Sequence, residues 1–249
     1  MFTKRIFSAK HWFRGKIIVS IVSGDAVALT IDDGPDPIYT PRVLDVLKKH
    51  NAKATFFVLG RQAELYPRVI KQIVDSGCEI ANHSYSHPSF SLISLRERVE
   101  EIWKCQSAVG SSGKMYFRPP FGHVSFGTPF WVSLLGYVTV CWSADPKDWE
   151  TSDPNVILER LEANVTPGSI ILMHDRIEIA KDARSFPREA TIAALDRFLD
   201  RSILKFRTLT EMFASCAPVE SEWEWGRQSL KTPLQLRLQE FLSLERNAP

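Results

Sequence analysis

The sequence predicts an α/β fold built on a parallel sheet. Two observations point there. Short runs rich in β-branched and aromatic residues alternate with helical patterns along most of the chain. Ionisable residues gather just past the carboxyl ends of those runs, where α/β folds place their sites.

The expected strands, in order, are AVALTI at 26–31, ATFFVL at 54–59, EIAN at 79–82, MYFR at 115–118, YVTVCWS at 137–143, SIILMH at 169–174 and KFRTL at 205–209. Most are continuous apolar runs, as strands covered on both faces require. The helical stretches lie between them. TPRVLDVLKKH opens on Thr40-Pro41, read as an N-cap followed by proline at the first helical position. YPRVIKQIVDSG stops at Gly77, and SLRERVEEIWKCQSAVG runs from Ser94 to Gly110. TPFWVSLLG, DPNVILERLEAN and PREATIAALDRFLD follow the same grammar. A closed barrel and an open doubly wound sheet both fit this order. There is no internal repeat and no glycine-rich phosphate loop after a strand.

The chain has 249 residues, 44% of them hydrophobic, enough for one large domain or two small ones. Its formal net charge of +2 gives no reason to expect nucleic acid. No apolar run is long enough to span a membrane. Cys78, Cys105, Cys141 and Cys216 form no C-x-x-C pair, so a zinc knuckle is not expected, and the first three read as reduced core thiols. Residues 1–25 read as a basic arm and a short strand: MFTKRIFSAKHWFRGK has no acid, and IIVSIV breaks at Ser23-Gly24-Asp25. A secretory leader is the weaker reading, because cleavage there would reach the strand at 26. The compartment stays unassigned. The main domain is expected over 26–217. Residues 218–249 form an extension, with an amphipathic helix on Leu234, Leu238, Phe241 and Leu242 capped by Thr232. It reads as a helix docked on the barrel, with a partner-binding or self-associating arm as the sharper alternative.

The strand ends carry the chemistry. TIDDGPDP sets Asp32 and Asp33 side by side after an apolar strand, although like charges repel and burying either is expensive. A surface turn is the plain alternative. The other strand ends argue against it: His83 and His87 in NHSYSH, Arg118 in RPPFG, Asp145 in ADPKDW, and His174 with Asp175. Two histidines four apart share one side of a helical turn, and with a carboxylate they make an open three-ligand metal site. Arg118 precedes two prolines that lack an N–H, so the first amide available in that loop belongs to Phe121, a candidate oxyanion donor. Trp149 and Leu172 read either as pocket wall or as core.

TIDDGP, HSYSH, RPPFG, DPKDW and LMHD resemble, in order and spacing, the five motifs of the polysaccharide deacetylases, the nodulation-type deacetylase homology domain of carbohydrate esterase family four. The resemblance covers roughly residues 26–213. It implies a distorted (β/α)7 barrel with its active site at the carboxyl ends of the strands. It also implies metal-dependent removal of N-acetyl groups from chitin- or peptidoglycan-like saccharides. Carried over, Asp32 would be the general base, and Asp33, His83 and His87 would bind one divalent metal. The two-His, one-Asp set suits zinc, with cobalt or nickel as alternatives. Arg118 would orient Asp32, and Asp145 would tune His174, the general acid. Trp149 and Leu172 would wall the acetyl pocket, and Phe121 would lend its amide. The chain departs from the family pattern at Ile31, where Phe is common, and at Phe121, where Tyr is common. It departs again in the charged RIEIAKDARSFP after His174-Asp175, where glycine is frequent; substrate identity is what that loop puts in question. The rivals are an O-acetyl esterase acting on xylan-type polymers, a catalytically inactive sugar-binding relative, and an unrelated HxxxH hydrolase.

Overall fold

The computed structural model describes residues 17–124, 127–178 and 187–221. The basic arm at 1–16 and the amphipathic helix of the extension lie outside the described residues. The strands are β1 (Ile17–Ile21), β2 (Ala26–Asp32), β3 (Thr55–Val58), β4 (Glu79–Asn82), β5 (Gly113–Phe117), β6 (Val138–Val140), β7 (Ile170–His174), β8 (Lys205–Arg207) and β9 (Pro218–Ser221). They form one curled sheet in the order β7-β2-β3-β4-β5-β6-β1-β9, with β8 also paired to β2. Every pairing is parallel except that of β1 with β9. Single bridges from Ser20 to Ser169 and from Ala144 to Ile171 draw the β1 and β6 side toward β7. The expected parallel α/β architecture is the one observed.

Side-chain alternation along β2 explains why both of its faces read as apolar. Val27, Leu29 and Ile31 point outward into a cluster with Val43 and Leu47, Ile73, Ile157 and Leu161, and Leu195 and Phe198 from the covering helices. Ala26 and Ala28 point inward and pack with Phe57, Ala81, Val140 and Ile170. The next two inward positions are Thr30 and Asp32, both buried. The barrel interior therefore turns from apolar to polar toward the carboxyl ends of its strands.

Local structure departs from the sequence reading at several points. The helix expected to be capped by Thr40 starts at Tyr39. Asp36 Oδ1 accepts the amides of Ile38 and Tyr39, each at 2.8 Å, while the Thr40 hydroxyl accepts from the Asp36 amide at 2.7 Å. The helix Leu95–Val109 begins with a full capping box from Ser94 and Glu97. The helices Gly60–Leu65 and Leu209–Ser215 were not anticipated, although Thr208 and Glu211 spell out a capping box for the second. The sheet also runs past the expected 26–217 boundaries at both ends, since β1 lies between β6 and β9.

Gly168 makes the closure at β1 possible. It sits at φ +87, and a Cβ there would lie inside the radius of the Ile21 carbonyl oxygen. The Ile21 amide donates to the Gly168 carbonyl at 2.8 Å, which ties β1 to the turn before β7 at this close spacing. Left-handed backbone costs a residue with a Cβ about 1–2 kcal/mol before any clash. Gly168→Ala is expected to lower the thermal unfolding midpoint clearly. Gly24→Ala is expected to leave it near wild type, because a Cβ there meets nothing within 4 Å.

Candidate active site

The loops at the carboxyl ends bend sharply. Asp33 (φ 73), Ser84 (φ 71), His87 (φ 63), Phe121 (φ 59) and Lys147 (φ 51) all hold left-handed backbone without being glycine. Such residues cost about 1–3 kcal/mol each and gather where function requires a fixed geometry. The histidines show why it is needed here. His83 and His87 were expected to converge on one helical turn, but their segment is a loop. Asn82 Oδ1 accepts the Ser84 amide at 2.9 Å, and Ser84 Oγ accepts the His87 amide at 3.0 Å. Glu101 Oε2 accepts the amides of Tyr85 at 2.9 Å and Ser86 at 2.7 Å. The loop, rather than a helix, brings the rings to 5.1 Å between centroids.

Asp33, His83 and His87 are all buried, and one ligand atom from each lies within 4.8 Å of the others. The Nε2 atoms of His83 and His87 stand 3.4 and 3.2 Å from Asp33 Oδ1. His83 Nδ1 lies 2.8 Å from the Arg118 carbonyl, which can only accept, so the proton sits on Nδ1 and Nε2 is left as a lone-pair donor. Asp33 Oδ1 is buried and meets no hydrogen-bond donor among the described residues. Burial pushes the Asp33 carboxyl up, but His87, His83 and His174 outweigh it and hold the group well below the usual carboxylate range. An ionised oxygen without a donor, facing two imidazole nitrogens, fits a divalent cation.

Asp32 lies beside this cluster. Its Oδ1 accepts from Arg118 Nη1 at 2.7 Å, and its Oδ2 is 3.7 Å from His83 Nε2. Arg118 is fully buried. Its other donors reach Thr30 Oγ1 at 2.7 Å and the carbonyls of Val140 at 3.1 Å and Cys141 at 2.9 Å. The guanidinium also stacks on Phe57, 4.1 Å from the ring centroid. The parallel register of β2 with β7 pairs Asp32 with His174 and Thr30 with Leu172. Adjacent strands lie about 4.8 Å apart, so a carboxylate and an imidazole stand side by side at one level of the sheet.

The partner of His174 corrects the sequence reading. Asp148, not Asp145, holds it: His174 Nδ1 lies 2.7 Å from Asp148 Oδ1, and the His174 amide donates to Oδ2 at 3.0 Å. Asp148 is fully buried and is held in turn by Thr191 Oγ1 at 3.2 Å and Arg188 Nη1 at 3.7 Å. Asp145 spends an oxygen on the Lys147 amide at 2.7 Å, and burial raises its pKa. Both aspartates lie in ADPKDW, and spacing alone does not tell which one turns inward. Burial alone would depress the His174 pKa. Asp148, Asp33 and Asp32 reverse this and raise it to about 9.

The remaining expected residues differ in burial. Leu172 is buried two residues before His174, on the same strand face. Trp149 is 51% exposed and Phe121 43% exposed, and the Phe121 ring meets His87 edge-on at 4.4 Å. Asp175, read only as a neighbour of His174, is buried against Gly34, where any Cβ would collide with its carboxylate. Burial pushes the Asp175 carboxyl up to about 7, against a hydrogen bond from Thr40.

The polysaccharide deacetylase family profile matches residues 21–140. A chitooligosaccharide deacetylase of Sinorhizobium fredii is 38% identical over 181 residues, spanning 70% of this chain and 84% of that protein. The chain belongs to the polysaccharide deacetylase family. A solved peptidoglycan N-acetylglucosamine deacetylase is similar in fold, with TM-score 0.73 at 32% identity, over 84% of this chain and 98% of that one. A pseudoenzyme of the same family from Bacillus anthracis is similar too, with TM-score 0.69 at 31% identity, over 79% of this chain and 68% of that one. Since family structures include an inactive protein, activity has to be argued from this chain's own residues.

The His174 contact is testable directly. In metal-free protein, NMR titration is expected to show His174 keeping its proton until pH nears about 9. Asp148→Asn should lower that pKa by roughly 1–3 units, the usual effect of removing an adjacent opposite charge. Asp145→Asn should lower it much less. A larger shift from Asp145→Asn would return the tuning role to Asp145.

Proposed function

We propose that this chain is a metal-dependent deacetylase that hydrolyses N-acetyl groups on N-acetylglucosamine-containing oligo- or polysaccharides. The observation that carries the reading is the in-register pair of Asp32 and His174 beside the buried Asp33–His83–His87 cluster. On this reading a base, an acid and a cation site surround one small volume. Relatives named as chitooligosaccharide and peptidoglycan N-acetylglucosamine deacetylases support the substrate class.

Asp33, His83 and His87 would hold the cation, and zinc suits a set of two imidazoles and one carboxylate. When bound, the cation supplies Lewis acidity, which acidifies a water and polarises the acetyl carbonyl. Asp32, held by Arg118 through Oδ1, has Oδ2 free on the cluster side to take the proton of the attacking water. The Phe121 amide, first after two prolines, is the backbone donor for the developing oxyanion. An amine leaves poorly unless protonated. His174 meets that need: Asp148 fixes its Nδ1 proton and favours the imidazolium, so Nε2 delivers the proton. Leu172 on the strand face of His174 and Trp149 at the rim supply apolar surface for the acetyl methyl.

Mass spectrometry of chitin oligomers and peptidoglycan fragments after incubation with zinc-loaded protein tests the reading. Loss of acetyl mass from either confirms it. Turnover of acetylated xylan alone would replace it with the esterase reading, and no turnover of any would favour an inactive sugar-binding relative. Asp32→Asn should keep the metal, measured as about one equivalent after dialysis. The same variant should lose roughly 10²–10⁴-fold in rate, the usual contribution of a positioned base. Near-normal turnover would make Asp32 structural.

His174→Ala should cost far more on an N-acetyl substrate than on an activated O-acetyl ester, whose leaving group needs little protonation. Comparing kcat/KM for the two substrates reads this out. Equal losses would mean that the leaving-group proton comes from elsewhere.

A further inference from the structure

The second oxygen of Asp33 has a donor of its own. The backbone amide of Glu178, in the loop after β7, donates to Asp33 Oδ2 at 2.9 Å. Oδ1 is thereby left as the one oxygen turned toward His83 and His87. The Glu178 side chain accounts for the position of that amide. Its carboxylate is ion-paired with Arg61 at the start of the helix Gly60–Leu65, and lies 3.3 Å from Arg176 Nε. Arg176 Nη1 in turn lies 3.7 Å from Asp36 Oδ2.

These contacts form a strap with a definite place in the fold. β7 and β3 flank the carboxyl half of β2, while β8 pairs with its start. Glu178 comes from the loop after β7, and Arg61 lies just past β3. Their ion pair crosses over the carboxyl end of β2, where Asp33 stands. The Glu178 and Arg176 side chains are 12% and 20% exposed, and Asp36 is 7% exposed, so solvent screens this chain of charges less than a surface pair.

We infer that Glu178 and Arg61 are positioning residues for the metal ligand Asp33. The inference rests on the Asp33–His83–His87 centre proposed above. With Oδ2 committed to an amide, Asp33 presents a single oxygen and loses little rotamer freedom on binding a cation. A donor that orients a ligand in this way is commonly worth 10–100-fold in metal affinity. With the strap cut, the Glu178 amide is free to leave Oδ2, and the carboxylate is free to rotate away from the histidines.

The experiment is Zn²⁺ affinity by chelator competition on the whole chain, with the unfolding transition of each metal-free protein recorded alongside. Glu178→Gln and Arg61→Gln should each weaken Zn²⁺ binding about 10–100-fold while leaving the metal-free transition close to wild type. Arg61→Lys, which keeps the charge, should recover most of the affinity. A purely structural ion pair would lower the metal-free transition in the two Gln variants and leave Zn²⁺ affinity alone. The Arg61 side chain is 35% exposed, so Arg61→Gln decides the matter should Glu178→Gln not fold. Wild-type affinity in Arg61→Gln would overturn the inference and leave the centre standing. A wild-type protein that binds no Zn²⁺ would overturn both.

Discussion

A guanidinium buried in the middle of a barrel is the constraint on which the site depends. Arg118 has no solvent contact, so its donors must find acceptors inside the protein. They find them on β2, at Thr30 and Asp32, and on β6 and the residue after it, at Val140 and Cys141. The Thr30 hydroxyl passes the chain on to the Ile171 carbonyl of β7 at 2.5 Å. One side chain from the end of β5 thus links strands on both sides of the barrel. Its backbone carbonyl also sets the tautomer of His83. The same residue therefore orients Asp32 with its head and His83 with its backbone. Removing one partner of such a buried pair strands the other charge, which costs about 3–5 kcal/mol.

Around this fixed centre, each reactive group has a second group that limits its freedom. Asp32 has Arg118, His174 has Asp148, Asp148 has Thr191 and Arg188, and His87 has Ser84. The strained backbone at Asp33, His87 and Phe121 belongs to the same economy. Left-handed turns let two carboxylates that are neighbours in sequence face different tasks. Asp32 looks inward to Arg118, and Asp33 turns toward the histidines. This resolves the conflict of adjacent negative charges at the end of a buried strand, because Asp32 meets the Arg118 guanidinium while Asp33 accepts the Glu178 amide.

Much of this was legible in the sequence, for physical reasons. The strand-end rule located Asp32, Asp33, His83, Arg118 and His174, because parallel strands deliver their following loops to one end of the sheet. The rule names a level in the fold, not the direction of a side chain. It therefore did not distinguish Asp145 from Asp148. The helical reading of His83 and His87 failed because left-handed backbone at Ser84 and His87 has no marker when the residue is not glycine. The full burial of Arg118 was not legible either, since arginine is ordinarily a surface residue and its acceptors are carbonyls of distant strands. Glu178 touches the site mainly through its backbone amide, which any residue type supplies.

The place of β1 carries a consequence for how the chain reaches this state. Ile17 pairs with Thr139 on one side and with Ser221 on the other. The strand met first in the described chain therefore waits for partners from its middle and its far end. Contacts between such distant segments raise contact order, which slows folding and keeps an edge open to wrong partners meanwhile. Until β9 arrives, β1 is held by β6, a strand of three residues, and by the turn before β7, through Ser20 with Ser169 and Ile21 with Gly168. During synthesis at about 5–20 residues per second, most of the barrel has to be made before its last seam can close. The order of assembly thus runs from the centre outward, with the two ends of the described chain meeting last.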